Sequence, residues 1–223
     1  IFKAYDIRGI VETALTEEAV SAIGLALGAK ARARGIGQVV VGRDGRLSGP
    51  ALARALSAGL CAAGVDVIDI GMVPTPLVYF ATVLTGCGTG VAVTGSHNPP
   101  EYNGLKMMLG GATLHGEDIR DIAATLADPA RYAALFAATP GTVRTLDVVP
   151  DYIARIAGEV KLARPLKVVV DAGNGVAGAV APALLRALGI TDLTELYCEV
   201  DGHFPNHHPD PAHPENLRDL IRE

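Results

Sequence analysis

The apolar positions of this chain fall into short β-branched runs separated by longer stretches in which apolar residues recur every three or four positions. Gln38-Val39-Val40-Val41, Val65 to Ile70, Val91 to Val93 and Val168 to Val170 have the length and branching of buried strands. Leu105 to Leu109 predicts another, and Phe2 to Gly9 a short strand closed by a turn at Gly9. Helical patterns lie between them. Thr16 is placed to cap a helix with Glu17 and Glu18 in its first turn, where the macrodipole favours carboxylates. Val20, Ile23 and Leu27 form its apolar stripe. Ser48 and Pro50 open a second helix, with Leu52, Leu56 and Leu60 at i+4 spacing and Gly64 past its end. Thr75-Pro76 reads as the cap and first residue of a third, reaching Leu84. Glu117 to Leu126 and Val149 to Gly158 predict two more.

Strand and helix therefore alternate. That order predicts an α/β fold of repeated mixed, mainly parallel sheets with helices on both faces and right-handed crossovers. Pro140-Gly141 marks a boundary, which divides the chain into residues 1–142 and 143–223. The second part echoes the first. Val39-Val40-Val41 runs into Gly42-Arg43-Asp44-Gly45 and a helix with Pro50-Ala51-Leu52. Val168-Val169-Val170 runs into Asp171-Ala172-Gly173-Asn174-Gly175 and a helix with Pro182-Ala183-Leu184. Two copies of a βαβ unit are the simplest account, with Leu193 to Val200 as the counterpart of Val65 to Ile70. The second copy is unfinished. A Pro-rich connector, Asp201 to Pro211, leads to a helix beginning near Pro214-Glu215. A half-sheet of this kind has an exposed edge, and the chain, starting at Ile1, is expected to be a piece of a longer protein.

Composition narrows the function classes. The 223 residues are 49% hydrophobic and 19% charged, with a formal net charge of -5, which suits one or two globular domains. The mild acidity argues against nucleic acid as a partner, because phosphate backbones select basic faces. No apolar run is long enough to span a membrane and no signal-peptide pattern is present, so no membrane partner and a cytoplasmic setting are expected. Cys61, Cys87 and Cys198 form no CxxC pair and are expected as buried free thiols in a reducing compartment.

The candidate chemistry centres on Thr94-Gly95-Ser96-His97-Asn98-Pro99-Pro100. The strand ends at a Gly, and the two prolines permit neither a helix nor a central strand. A polar trio is thus expected on a rigid loop at a strand's C-terminal end, where open α/β sheets bind ligands. Ser96 is the candidate nucleophile. His97 is its neighbour, and adjacent residues near a strand end point apart, so it is poorly placed as general base. No Gly-x-Ser-x-Gly elbow exists, with Thr at 94 and Asn at 98, which disfavours a serine hydrolase. A phosphorylated Ser96 fits the backbone N–H groups around Gly95, the Asn98 amide and a nearby cation. The plain alternative is a polar turn between two strands. Lys106 stands in the apolar run Leu105-Lys106-Met107-Met108-Leu109, either as the solvent-facing residue of an alternating strand or at a phosphate site, where desolvation would suit it to acid/base work. Tyr5 with Arg8, and Arg43 with Arg46, are possible phosphate contacts, although Arg46 is expected to be an ordinary surface arginine. His203, His207, His208 and His213 have no known tetrahedral spacing, and their prolines favour an extended connector over a metal site.

These motifs, in this order, resemble the α-D-phosphohexomutase family. Thr94-Gly95-Ser96-His97-Asn98-Pro99 is similar to its phosphoserine signature. Phe2-Lys3-Ala4-Tyr5-Asp6-Ile7-Arg8-Gly9, Val41-Gly42-Arg43-Asp44 and Asp171-Ala172-Gly173-Asn174-Gly175 also match. The Tyr197 to Gly202 and Phe204 to Pro209 segments are most similar to the bacterial phosphomannomutase/phosphoglucomutase branch. Phosphoglucosamine mutase, usually with Ala at position 95, is the alternative branch, and a non-catalytic phosphosugar-binding module is the alternative from another class. The resemblance implies one complete phosphohexomutase-type domain, residues 1–142, and the N-terminal part of a second, residues 143–223. It implies reversible transfer of a phosphoryl group between C1 and C6 of mannose or glucose phosphate, through phospho-Ser96 and a hexose 1,6-bisphosphate. Lys106 and Arg8 are implied as acid/base and charge-stabilising groups, and Tyr5 and His97 as groups that position the loop and substrate. Ser96 is implied as one ligand of Mg²⁺. A monomer is expected. The family's aspartate-rich metal loop is absent from these residues, so this chain alone is expected to be inactive.

Overall fold

The computed structural model describes residues 1–223. The first sheet begins with β1 (Ile7–Ile10). Thr16 then caps α1 (Glu17–Ala33), its hydroxyl accepting from the Ala19 N–H at 3.1 Å. β2 (Gln38–Arg43), α2 (Gly49–Ala62), β3 (Asp66–Met72), α3 (Thr75–Leu84) and β4 (Gly90–Val93) follow as alternating strands and helices. β5 (Tyr102–Leu109) and the short β6 (Ala112–Thr113) lead to α4 (Glu117–Ala127) and α5 (Pro129–Ala133). β7 (Val143–Thr145) precedes α6 (Val149–Glu159). The second sheet comprises β8 (Lys167–Asp171) and β9 (Asp192–Leu196), joined through a 3-10 turn at Val176–Ala179 and α7 (Ala181–Ala187). A 3-10 turn, Pro214–Asn216, and α8 (Leu217–Arg222) complete the chain.

The strand order is β1-β5-β4-β2-β3-β7, with β6 on β5. β4, β2, β3 and β7 are parallel to one another, and β5 is antiparallel to β4 and β1. Alternation of side chains along each strand separates two cores. Val39 and Val41 of β2, Val67 of β3 and Val91 and Val93 of β4 face the cluster under α1 and α2. Val40, Ile68, Ile70 and Ala92 face the cluster under α3. The second cluster also contains Val180, so the second domain packs on the open face of α3 and the sheet. β8 and β9 are parallel, which repeats the β2–α2–β3 unit.

Several expected boundaries moved. Gly9 lies within β1, opposite Asn103, because a Cβ there would meet Ile1 Cγ2 at 2.8 Å and not because the chain turns. β9 stops at Leu196 and not Val200, since Tyr197 turns with a φ of 51°. Pro74, not Thr75, is the residue before α3. Ser48 makes no cap bond; its hydroxyl instead accepts from the Asn103 side chain at 2.9 Å. After Pro140-Gly141 the chain still adds β7 to the first sheet, where Val67, Ile68 and Asp69 pair with Val143, Arg144 and Thr145. The three cysteines are free but only half-buried, being placed at an element's end or in loops where packing is thinner.

Candidate active site

β2, β3 and β4 run parallel, so their C-terminal ends open on one side of the sheet. There a cleft of about 500 Å³ is lined by Asp44 and Gly45 after β2, by Pro74 to Pro76 at the start of α3, and by Thr94, Ser96 and His97 after β4. Lys106 reaches it from β5, next to Ala92 of β4. The opposite wall comes from the second domain: Asp171 to Gly175 after β8, and Phe204 and His207 on the connector. A larger groove, about 730 Å³, lies over Val11, Glu17, Glu18 and Leu52. Its charged groups are all carboxylates, with no cation for an anionic substrate, so the smaller cleft is the candidate site.

The serine loop is built from fixed polar contacts. Ser96 has a φ of 54°, in the left-handed region. Its N–H donates to Thr94 Oγ1 at 3.0 Å, and the Thr94 hydroxyl donates to Asp44 Oδ2 at 2.7 Å. Asp44 Oδ2 also accepts from the Gly95 N–H at 3.1 Å. The Gly95 carbonyl accepts from Arg8 Nη1 at 2.7 Å and from the Asn98 side chain at 2.9 Å. Arg46 lies beneath the loop and is only 1% exposed. It pairs with Asp44 at 3.2 Å and donates to the carbonyls of Ser96, Asn98, Pro99 and Tyr102. Burial lowers the Arg46 pKa, against the opposing pull of Asp44. The surface position expected for Arg46 is therefore overturned: a guanidinium whose donors are all satisfied by carbonyls and a carboxylate can leave water.

Ser96, Lys106 and His97 share the cleft, with His97 exposed at its rim. Arg8 is not among the lining residues. Its guanidinium is behind the loop, paired with Asp6 at 2.5 Å. Tyr5 is 78% exposed and also outside the lining. The pattern of apolar and polar positions did not bring the second wall to the site, although Asp171 to Gly175 and Phe204 to Pro209 were among the family-like motifs. His207 Nε2 lies 3.1 and 3.0 Å from the two Asp171 oxygens, and its Nδ1 is 3.0 Å from the His208 carbonyl. Burial works against protonation of His207, but the His208 carbonyl and the Asp171 carboxylate outweigh it and raise the pKa. Gly173, with a φ of 50°, makes room for this ring; a Cβ would meet its Cε1 at 2.7 Å. The signals were the recurrence of Asp and Gly after both valine runs and the resemblance of the Asp171 and Phe204 segments to family motifs.

An anion suits this cleft better than a metal does. The N-terminus of α3 enters its wall and favours negative charge. No three His, Cys, Asp or Glu side chains are grouped to hold a metal ion. Mg²⁺ takes an octahedral shell of oxygens, whereas Asp44 is engaged by Arg46, Thr94 and Gly95. The residues of this chain do not by themselves fit that ion.

Comparison with known proteins agrees with this geometry. Residues 1–132 match the model for phosphoglucomutase/phosphomannomutase alpha/beta/alpha domain I, and residues 150–223 match that for domain II. A phosphoglucomutase of Neisseria gonorrhoeae is 53% identical over 221 residues, covering 99% of this chain and 47% of that protein. A phosphomannomutase/phosphoglucomutase of Pseudomonas aeruginosa is 50% identical, with 99% and 46% covered. The crystal structure of a phosphoglucomutase/phosphomannomutase family protein from Burkholderia thailandensis superposes with a TM-score of 0.92 at 52% identity, covering all of this chain and 49% of that one. The chain thus spans about half the length of the curated relatives it matches. With both of its domains matched and the serine loop held at the junction between them, the chain belongs to the phosphoglucomutase/phosphomannomutase family.

Proposed function

We propose that the complete protein is a phosphohexose mutase, an isomerase that moves a phosphoryl group reversibly between C1 and C6 of mannose or glucose phosphate with Ser96 as its carrier. The observation that carries this reading is the strained, clamped Ser96 at the floor of a cleft shared with Lys106 and the start of α3. In the proposed cycle the C6 hydroxyl of a hexose 1-phosphate attacks phospho-Ser96. The bond from phosphorus to Ser96 Oγ breaks, the hydroxyl proton passes to a base, and Oγ recovers a proton. The hexose 1,6-bisphosphate turns round within the site. Ser96 Oγ then gives up its proton to a base and attacks the C1 phosphoryl; the bond from phosphorus to the C1 oxygen breaks and that oxygen takes up a proton, which leaves hexose 6-phosphate and restores phospho-Ser96. Such transfer depends on alignment and charge neutralisation more than on covalent activation.

Lys106 is the proposed acid/base group, supported by its place in the cleft that Ser96 also lines. Arg8 adds positive charge behind the loop while its Nη1 holds the Gly95 carbonyl. His97 at the rim and Tyr5 on the exposed segment before Arg8 are proposed substrate contacts. Residues 1–142 provide the serine loop in this scheme, and 143–223 the facing wall. Mg²⁺ is proposed to act only with oxygen ligands from outside this chain, Ser96 being the one that it contributes. Gly95 favours this branch over a phosphoglucosamine mutase, which usually has Ala at that position. The free thiols support a reducing, cytoplasmic setting, and no helix is long and apolar enough to cross a membrane. Turnover of mannose 1-phosphate and glucose 1-phosphate by the complete protein tests the reading. Ser96→Ala abolishes both if Ser96 is the carrier, and full activity in that variant refutes it.

A further inference from the structure

Arg46 is the bulkiest fully buried side chain in the structure. A guanidinium has five N–H donors in one plane. Here all five are used: Nε on Asp44, Nη1 on the carbonyls of Pro99 and Tyr102, and Nη2 on those of Ser96 and Asn98. The carbonyl partners all belong to residues 96–102, so the loop is wrapped around one planar group. Gly95 closes over that group, and its lack of a Cβ allows the approach. Arg46 also lies over the ring of a residue from the other domain. The Phe204 ring centroid is 5.2 Å from Arg46 Cζ, within cation–π range. Phe204 itself is held in a left-handed turn with a φ of 53°, its N–H donating to the Asp201 carbonyl at 3.0 Å.

We propose that Arg46 is a positioning residue for Ser96, and that Phe204 makes the geometry of the serine loop depend on docking of the second domain. The catalytic part rests on Ser96 being the phosphoryl carrier. Lysine cannot substitute, because a single ammonium supplies three donors with no fixed fork and leaves loop carbonyls unpaired.

The test uses the complete protein with Arg46→Lys and Phe204→Leu. Steady-state kinetics with glucose 1-phosphate are paired with amide hydrogen exchange over Gly95 to Asn98. Arg46→Lys is expected to lower kcat about 100-fold with KM within about threefold, the signature of misplacement and not of lost binding. Exchange over Gly95 to Asn98 rises about tenfold, while amides of β2 and β3 remain protected. Phe204→Leu keeps apolar bulk but removes the ring face, and is expected to lower kcat about fivefold and loosen the same amides. Unchanged kcat and exchange in Arg46→Lys overturn the proposal. So does a KM rise at constant kcat, or uniform acceleration of exchange throughout the core. Phe204→Leu that alters neither readout overturns the coupling, and it decides the matter if Arg46→Lys does not fold. Exchange needs no turnover: an active Ser96→Ala protein whose loop is still loosened by Arg46→Lys refutes the carrier reading but not the positioning.

Discussion

Ser96 has a left-handed backbone, which costs a serine about 1–3 kcal/mol. Charge-assisted bonds contribute about 1.5–3 kcal/mol each, so the carbonyl contacts of Arg46 are sufficient to hold it. The same arrangement makes position 95 intolerant. Gly95→Ala would put a Cβ 2.2 Å from an Arg46 Nε that cannot retreat without breaking its other bonds. Overpacking of this kind costs about 1–3 kcal/mol, so a lower thermal midpoint together with reduced turnover is expected. His207 gives a pH signature. Its folded pKa is raised above the unfolded value of 6.5. The pairing with Asp171 therefore contributes stability that is full below pH 6.5 and is lost as pH rises through the folded value. His207→Gln should lower the thermal midpoint at about pH 5.5, with the deficit shrinking by about pH 9. Ser96, Lys106 and His97 were legible because polar residues interrupt an apolar pattern at a strand end. Arg46 was not, because an arginine five residues past a valine run carries no mark of burial; its carbonyl partners are 50 to 56 positions away.

At the scale of elements, α1 and α2 cross where neither has a side chain in the way. A Cβ on Gly59 would lie 1.9 Å from the Ser21 carbonyl oxygen, and one on Gly24 would lie 2.4 Å from that of Leu56. Helix propensity alone favours Gly59→Ala by about 1 kcal/mol. The backbone clash costs about 1–3 kcal/mol or more, so net destabilisation is expected, measured as a lower denaturant midpoint. Long elements were legible from period alone: Val20, Ile23 and Leu27 are all buried, and the β2 valines divide between two cores. Short elements were not. β6, β7 and α5 span two, three and five residues, too few to show a period. The early end of β9 depends on the backbone of Tyr197, which hydrophobicity does not encode.

At the scale of the molecule, the cleft exists because the second domain docks against the first. Val180 joins the core under α3, the Phe80 and Tyr152 rings meet edge-on at 5.4 Å, and Val200 packs where Gly45 has no side chain. The duplicated strand–helix–strand order was legible in the sequence. The facing of the two Asp-Gly turns across one cleft was not, because no local pattern fixes contacts between residues more than a hundred positions apart. This chain contributes Ser96, the proposed carrier, and two walls of the cleft but no gathered metal donors. Expressed alone it is expected to give no mutase turnover in a coupled glucose 6-phosphate assay, while the complete protein is active. The most direct measurement is phosphopeptide mapping of the complete protein before and after one turnover with unlabelled glucose 1-phosphate, starting from radiolabelled phosphoenzyme. The label is expected on Ser96 at the outset and on hexose 1,6-bisphosphate or hexose 6-phosphate afterwards. Label on another residue, or label that stays on Ser96 while product forms, would contradict the carrier role of Ser96.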